Sequence, residues 1–173
     1  MSESHTIRPA RHDEIPAVQR LARVIWHAHY PGIITVPQID YMLARGYAAD
    51  VLESLLGRTD AGLELAIVEG EPVAFAAWYG TDDPGEAKLE KLYVLQSHQR
   101  LGLGGRLIRH VAQLARTIGA TTLVLNVNKG NVQAIRAYES HGFAIRAAVV
   151  VDIGGGFVMD DYVMAMPLAT EVG

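Results

Sequence analysis

The sequence predicts a single α/β domain whose sheet is mixed and largely antiparallel, with about seven strands around a parallel β-α-β core. Three observations support this fold class. Predicted strands and helices alternate through the middle of the chain, hairpins occur toward both ends, and half of the 173 residues are hydrophobic. Because the length is typical of one domain and no linker or internal repeat is visible, we assign residues 1–173 to one domain.

Each element follows from the spacing of its apolar residues and from the turn residues that bound it. Apolar residues three and four positions apart predict helices, and short apolar runs between turn residues predict strands. The unit from 88 to 127 should form a right-handed crossover between parallel strands. The predicted strands are 6–8, 63–68, 73–78, 88–95, 121–127, 143–152 and 157–166, and the predicted helices are 13–29, 38–56 with a break at Gly46, 107–119 and 131–140.

Composition and charge exclude several classes of function. The net charge is −4 and no basic block is present, so a nucleic-acid-binding surface is not predicted. The chain has no cysteine, which excludes disulfides, cysteine metal sites and a thiol nucleophile. The seven histidines form no convincing metal-ligand set. No apolar run reaches membrane-spanning length, and we expect a cytoplasmic enzyme without a metal or a membrane partner.

A glycine-rich loop at residues 99–105, Gln-Arg-Leu-Gly-Leu-Gly-Gly, follows a predicted strand and opens a helix. Backbone amides and the helix dipole favour an anion at such a position, and glycines allow close approach of the backbone. Arg100 could add a side-chain contact to a phosphate. The loop is therefore interpreted either as a pyrophosphate cradle or as a plain tight turn before a helix.

Two well-known phosphate motifs do not match this loop. A P-loop requires Gly-x-x-x-x-Gly-Lys-Ser/Thr, which the chain lacks. A dinucleotide fingerprint requires a third glycine where Leu107 stands. It also requires an acidic residue after the next strand, which instead ends in Asn126, Val127 and Asn128. ATP and NAD are therefore weak candidates as ligands.

Two motifs in order resemble the GNAT acetyltransferase superfamily, and the similarity runs from about residue 6 to 166. Gln99, Gly102 and Gly104 match the family's cofactor motif Gln/Arg-x-x-Gly-x-Gly/Ala, although Gln96 stands where the family often has proline. The segment 131–143 matches Asn-x-x-Ala-x-x-x-Tyr-x-x-x-Gly-Phe. The resemblance implies the GNAT fold, with helices on both faces of the sheet, and acetyl transfer to an amine.

The same resemblance implies acetyl-CoA as co-substrate. Its pantetheine arm would pair with the backbone of the fourth strand, in an opening beside the fifth. Its pyrophosphate would lie on the amides of the glycine loop, and Asn131 would contact the pantetheine side. The cofactor-binding residues that the resemblance implies are Leu92, Tyr93, Val94, Gln99, Arg100, Leu101, Gly102, Leu103, Gly104, Gly105 and Asn131.

Acetyl transfer requires a proton acceptor for the amine and a proton donor for the leaving thiolate. Strand alternation places Glu90 on one face with Leu92 and Val94, and the family often has an acid here, so Glu90 is the candidate acceptor. The alternative is an exposed charge or a partner for Lys91. Tyr138 is the candidate donor, since the matching family position supplies that tyrosine. The alternative is a core aromatic residue.

The acceptor amine is less defined. Residues 36–43 and 152–164 resemble the bacterial PaiA-type polyamine acetyltransferases, which implies a polyamine such as spermidine or spermine. Carboxylates and aromatic walls suit such a cation, and we predict Trp26, Tyr30, Asp160 and Asp161 as substrate residues. The aspartates could instead be solvated. A protein N-terminus, an amino acid, an aminoglycoside and a non-catalytic acetyl-CoA-binding regulator remain as alternatives, and a homodimer is compatible with the sequence.

Overall fold

The computed structural model describes residues 5–169, which form one seven-stranded sheet with helices packed on both faces. The predicted fold class is confirmed, while the two ends of the predicted 1–173 domain lie outside the described residues. None of the helices in this part of the chain is long and apolar enough to cross a lipid bilayer. The strands are β1 (His5–Pro9), β2 (Ala61–Val68), β3 (Glu71–Gly80), β4 (Glu86–Val94), β5 (Thr122–Asn128), β6 (Ala144–Gly154) and β7 (Phe157–Pro167). The helices are α1 (Ile15–His29), α2 (Val36–Gly46), α3 (Ala49–Glu53), α4 (Leu103–Thr117) and α5 (Val132–Ser140).

The sheet separates near its centre. Its order is β1-β2-β3-β4-β5-β7-β6, and all neighbours are antiparallel except β4 and β5. These two parallel strands pair only from Glu86 with Thr122 to Lys88 with Val124. Beyond Lys88, β4 continues to Val94 paired with β3 alone. The backbone edge of β4 that faces β5 is therefore open to a ligand.

Two apolar cores lie on opposite faces of this sheet. Helices α4 and α5 cover one face, while α1, α2 and α3 cover the other. The cores meet at the opening between β4 and β5, where side chains of both layers border one space. Buried members of the first core include Leu103, Leu107, Val111, Leu123 and Leu125, and those of the second include Val18, Ile25, Ile39, Leu52 and Phe75.

The starts of helices α4 and α1 differ from the sequence prediction. Helix α4 begins at Leu103 rather than Leu107, because Gly102 caps it in a left-handed conformation with φ of 79°. Helix α1 begins at Ile15 rather than Asp13, because residues His12–Glu14 form a 3-10 turn before it. The earlier start of α4 brings the amides of the glycine loop into the first turn of the helix.

Candidate active site

A cavity of about 1230 Å³ lies where β4 and β5 separate. The first turn of α4 and the buried side of α5 border it on one face of the sheet. Helices α1 and α2 and the β6–β7 hairpin border it on the other. The cavity brings together all the predicted site residues except Leu101 and Asp160. Those lining it are Trp26, Tyr30, Glu90, Leu92, Tyr93, Val94, Gln99, Arg100, Gly102, Leu103, Gly104, Gly105, Asn131, Tyr138 and Asp161.

The glycine loop presents free backbone donors to this cavity. Arg100 and Gly102 both have positive φ, and the first hydrogen bond of α4 joins Arg106 N–H to Gly102 O at 3.1 Å. Within the described residues, the amides of 103–105 therefore have no acceptor, although all three residues line the cavity. The N-terminal end of the helix dipole adds positive potential, so this turn is suited to bind an anion.

Gly104 and Gly105 lack side chains for different structural reasons. A Cβ built on Gly105 would come within 2.6 Å of His141 Cε1, so packing restricts this position. A Cβ on Gly104 would meet nothing closer than Val94 Cγ2, at 4.0 Å. The protein itself has room for a side chain at Gly104. Because Gly104 has no side chain, the part of the cavity beside the free amides stays open.

Tyr138 lies on α5 at the border of the cavity, with its ring edge against Phe143 at a centroid distance of 5.6 Å. Its hydroxyl makes no hydrogen bond to any described residue. Burial raises the pKa of Tyr138 well above its ordinary value, so the phenol stays protonated at neutral pH. A protonated, unengaged hydroxyl in the cavity is a suitable hydrogen-bond donor.

Asn131 connects the two layers that border the cavity. As N-cap of α5, its Oδ1 accepts from Ala134 N–H at 3.4 Å. Nε2 of His29, on α1, lies 3.0 Å from the same oxygen, and because an amide oxygen only accepts, this nitrogen donates. The sequence did not indicate His29, since its partner is 102 residues away.

Aromatic side chains form the wall of the cavity on the α1 and α2 side. The hydroxyls of Tyr30 and Tyr93 share a hydrogen bond of 2.8 Å. The ring of Trp26 lies 4.5 Å from that of Tyr30, and its Nε1 donates to Tyr47 Oη at 3.2 Å. Trp26 and Tyr30 therefore lie together in this wall. The side chain of Tyr93 belongs to this wall, so only the backbone of Tyr93 is available at the open edge of β4.

Asp161 is a carboxylate without a partner at the cavity. The residue is 1% exposed, and neither oxygen has a hydrogen bond of sound geometry to any described residue. Burial raises the pKa of Asp161 to about 6, against smaller lowering effects from Lys88 and nearby Asn126. Ionised and unpaired, this carboxylate is suited to bind a cationic group that enters the cavity.

Asp160 does not join Asp161 at the cavity. Its carboxylate pairs with Lys129 Nζ at 2.8 Å and is largely exposed. Successive side chains on β7 point to opposite faces of the sheet, which separates the two neighbours. The predicted grouping of both aspartates at one site is therefore wrong, because only Asp161 borders the cavity. Leu101 is likewise exposed and lies outside the cavity lining.

Glu90 lies at an irregularity in β4. The register shifts there, because Leu89 pairs with Trp78 and Lys91 pairs with the preceding residue of β3. Leu89 and Leu92 consequently pack in the same core although they are three apart, and strict alternation does not hold. The prediction that Glu90 shares a face with Leu92 is therefore wrong.

The side chains near Glu90 belong to the core that α1, α2 and α3 cover. Its charge helps to raise the pKa values of Tyr47 and Tyr79, although burial is the larger cause for both. Oε2 of Glu90 lies 3.8 Å from Lys91 Nζ, and the carboxylate is 39% exposed at the cavity. Burial lowers the pKa of Lys91, which also lies 5.0 Å from the ring centre of Tyr47. Glu90 is thus both a cavity residue and a partner for Lys91.

The described residues contain no ready set of metal ligands. Within residues 5–169, no group of three or more histidine, aspartate or glutamate side chains is placed to hold a metal ion. The polar groups that border the cavity include carboxylates, phenols and backbone amides.

Similarity to known proteins agrees with this geometry. Residues 25–143 match the model of the acetyltransferase (GNAT) family. An uncharacterised N-acetyltransferase of Bacillus subtilis, YjcF, is 33% identical over 82 residues, which are 47% of this chain and 55% of that protein. An aminoglycoside N(6')-acetyltransferase type 1 of Klebsiella pneumoniae is 28% identical over 132 residues, or 67% of this chain and 66% of that protein. The chain thus spans roughly half to two thirds of these relatives.

Solved structures share the whole fold. A PaiA N-acetyltransferase from Thermoplasma acidophilum, in complex with coenzyme A, has a TM-score of 0.81 and 20% identity over 95% of this chain and 99% of that one. The yncA protein of Salmonella typhimurium, with its cofactor acetyl-CoA, has a TM-score of 0.66 and 22% identity over 98% and 97%. The family model covers more than half of the described residues, and its motifs lie at the cavity. The chain therefore belongs to the acetyltransferase (GNAT) family.

Proposed function

We propose that this protein transfers an acetyl group from acetyl-CoA to a primary amine of a small polycation, with spermidine or spermine as the first acceptors to test. One observation supports the polycation most strongly. Asp161 is buried and unpaired on the wall of the cavity that the aromatic residues Tyr30 and Trp26 also line. A buried carboxylate without a partner costs free energy, and a bound ammonium group would offset that cost.

The names of similar proteins support the same class of acceptor. The Klebsiella pneumoniae relative is named for aminoglycosides, and a Streptomyces lavendulae relative, 38% identical over 72 residues, is named a streptothricin acetyltransferase. The Thermoplasma acidophilum structure with a TM-score of 0.81 is a PaiA N-acetyltransferase. Since the alignments to the curated relatives are partial, the activity and the acceptor of this chain remain our proposal.

The cofactor half of the cavity has what acetyl-CoA requires. Acetyl-CoA would supply the thioester carbonyl that the amine attacks. The free amides of residues 103–105 would hold its pyrophosphate, and the open edge of β4 beyond Lys88 would pair with its pantetheine amides. With no cysteine in the sequence, an acyl-enzyme on a thiol is excluded, and we propose direct transfer in a ternary complex.

Tyr138 and Glu90 have separate proposed duties. Tyr138 donates a hydrogen bond or a proton to the leaving thiolate. The raised pKa of Tyr138 makes complete proton transfer costlier. Burial of the coenzyme A thiol would raise the pKa of that thiol as well, which reduces the cost. Glu90 accepts the proton of the attacking amine through water, from the layer that also contains Asp161 and the aromatic wall. Asp161 binds an ammonium group of the acceptor.

A thiol-release assay with acetyl-CoA tests the proposal. The acceptor panel should contain spermidine, spermine, an aminoglycoside, several amino acids and a peptide with a free N-terminus. We expect release with the polyamines, and an Asp161→Asn variant should have a higher KM for spermidine with an unchanged KM for acetyl-CoA. Release only with an amino acid or a peptide would refute the polycation but not the transferase.

An aminoglycoside is the second candidate acceptor, because the Klebsiella pneumoniae relative aligns over 67% of this chain. Both candidates present several ammonium groups, so Asp161 would serve either one. The ratio of kcat/KM between spermidine and the aminoglycoside in the same assay decides between them. We place this activity in the cytoplasm, as the sequence predicts.

A further inference from the structure

The two edges of the sheet differ in length and in protection. β1 forms one edge with five residues and ends at Pro9. β6 forms the other edge with eleven residues, is largely exposed along its length, and contains no proline. Within residues 5–169, nothing pairs with its outer side. A long edge strand with unpaired backbone groups is a template for another strand.

The exposed surface around β6 is also apolar. Val150 is 66% exposed, and Ile145 is exposed on the same strand, whereas Val151 is exposed on the opposite face of the sheet, where it borders the cavity. Val158, on the adjacent β7, adds a fourth exposed apolar side chain. Single exposed apolar residues are common on proteins, but Ile145, Val150 and Val158 on one face of the edge hairpin indicate a surface that another protein covers.

We propose that β6 pairs antiparallel with β6 of a second copy of this chain, so that the two sheets join across a two-fold axis at Val149. This residue is the midpoint of Ala144–Gly154, so an axis there overlaps the strand over its full length. The central segment 147–151 pairs with β7 without irregularity, and the same five residues are centred on Val149. A symmetric interface requires such self-complementarity.

The side chains of β6 are complementary to themselves about this axis. Small residues face larger ones, since Ala148 would lie opposite Val150 of the second copy and Ala147 opposite Val151. Arg146, at the register shift that ends the regular segment, would lie near Asp152 of the second copy, at both ends of the overlap. An axis at Ala148 or at Val150 would lose this charge pairing and shorten the overlap.

Both charged residues keep capacity for an intermolecular contact. Arg146 binds Glu86 through Nη1, at 2.5 Å, and a guanidinium has further donors. Asp152 accepts from Gly154 N–H through Oδ1, at 2.8 Å, and its Oδ2 has no partner among the described residues. The expected pair lies at the rim of the interface, so it selects the register and adds little affinity.

Cysteine cross-linking tests the axis directly, because the sequence contains no cysteine and every introduced thiol is unique. Val149→Cys would place two thiols opposite each other, within the range that a disulfide spans. On mild oxidation we expect a covalent dimer on a non-reducing gel. Ala147→Cys, which would face Val151 of the second copy, and Val24→Cys, exposed on α1, should cross-link much more slowly.

Analytical ultracentrifugation tests the dimer itself. The wild-type protein should sediment as a dimer, and Val150→Lys should shift it to a monomer, because lysine on an edge strand opposes pairing. Val24→Lys is the matched control and should remain a dimer. A monomeric wild type, a dimer that Val150→Lys leaves intact, or cross-linking of Val149→Cys no faster than that of Val24→Cys would each overturn the proposal. The pairing involves none of the residues proposed for catalysis, so its failure leaves the acetyl-transfer proposal unaffected.

Discussion

The two sides of the cavity offer different chemical groups to a ligand. The side formed by α4 and α5 offers backbone amides and an open strand edge, with Tyr138 as its main functional side chain. The opposite side, formed by α1, α2 and the β6–β7 hairpin, offers carboxylates and aromatic rings. Backbone donors suit a ligand that all members of a family share, whereas side chains can change from one member to another. We therefore propose that the side of α4 and α5 binds the cofactor (the cofactor side) and that the opposite side selects the acceptor (the acceptor side).

The largest expected effect comes from blocking the backbone donors. In Gly104→Val, the new side chain would cover the amides of the first turn of α4, since no protein atom occupies that space. Loss of two hydrogen bonds to a charged phosphate is worth roughly 3 kcal/mol, so affinity for acetyl-CoA should fall about a hundredfold. Calorimetric titration measures this. Leu101→Ala, in the same loop but outside the cavity, is the control and should bind normally.

Unchanged affinity in a folded Gly104→Val protein would separate the loop from the cofactor. Gly102 is a poorer choice for this test, because its φ of 79° strains any other residue and would mix folding with binding.

Removing the hydroxyl of Tyr138, on α5, should have the next largest effect. Tyr138→Phe keeps the ring against Phe143 and deletes only the hydroxyl. We expect kcat to fall about a hundredfold while affinity for acetyl-CoA is retained. Because burial raises the pKa of Tyr138, the wild-type rate should not decline near pH 10 through ionisation of this group. Wild-type turnover in the variant would assign Tyr138 to packing.

On the acceptor side, Asp161 should reduce stability in a way that depends on pH. Its pKa of about 6 in the folded protein exceeds the value near 4 in the unfolded chain, so the unfolded state loses its proton first as pH rises. The free energy of unfolding should therefore fall between about pH 4 and 6 by roughly 3 kcal/mol and stay low above that. Thermal melts of Asp161→Asn should lack this fall, and spermidine should raise the wild-type Tm above pH 6.

An Asp161→Asn protein whose Tm follows the same pH profile as the wild type would show that Asp161 is not a strained, unpaired carboxylate. Lower stability of the variant at every pH would instead assign Asp161 a structural role.

The smallest effect should come from Glu90. Its carboxylate is partly exposed and shared with Lys91, so Glu90→Gln should lower kcat/KM by about tenfold near neutral pH. The loss should shrink at alkaline pH, where the free amine is plentiful. A pH–rate profile measures it, with Glu71→Gln as control, because Glu71 is exposed and outside the cavity. An equal loss at every pH would indicate positioning of the acceptor instead of proton transfer.

The predictability of the two sides differed for a physical reason. The strand, glycine loop and helix of the cofactor side are contiguous in the sequence, so local patterns predicted the order of these elements, and the structure places both Gly104 and Tyr138 at the cavity. The alternation of elements likewise predicted the mixed sheet, which the structure confirms. Helix α4 started four residues early because Gly102 adopts a left-handed cap that periodicity does not report.

The acceptor side depends on contacts distant in sequence. His29 and Asn131 are 102 residues apart, and no sequence pattern indicates their contact. A register shift on β4 turned Glu90 from the face that alternation predicted. Alternation on β7 separated Asp160 from Asp161, although both had been placed at the substrate. Such features are set by strand pairing, which single-sequence patterns do not specify.

The most direct test of this division compares KM values for both substrates in two variants. Steady-state thiol release should be measured with acetyl-CoA and with spermidine for the wild type, Gly104→Ala and Asp161→Asn. We expect a crossed result, in which Gly104→Ala raises only the KM for acetyl-CoA and Asp161→Asn raises only the KM for spermidine. Equal changes in both constants in either variant, or no change in Asp161→Asn, would contradict the separation of cofactor binding from acceptor choice.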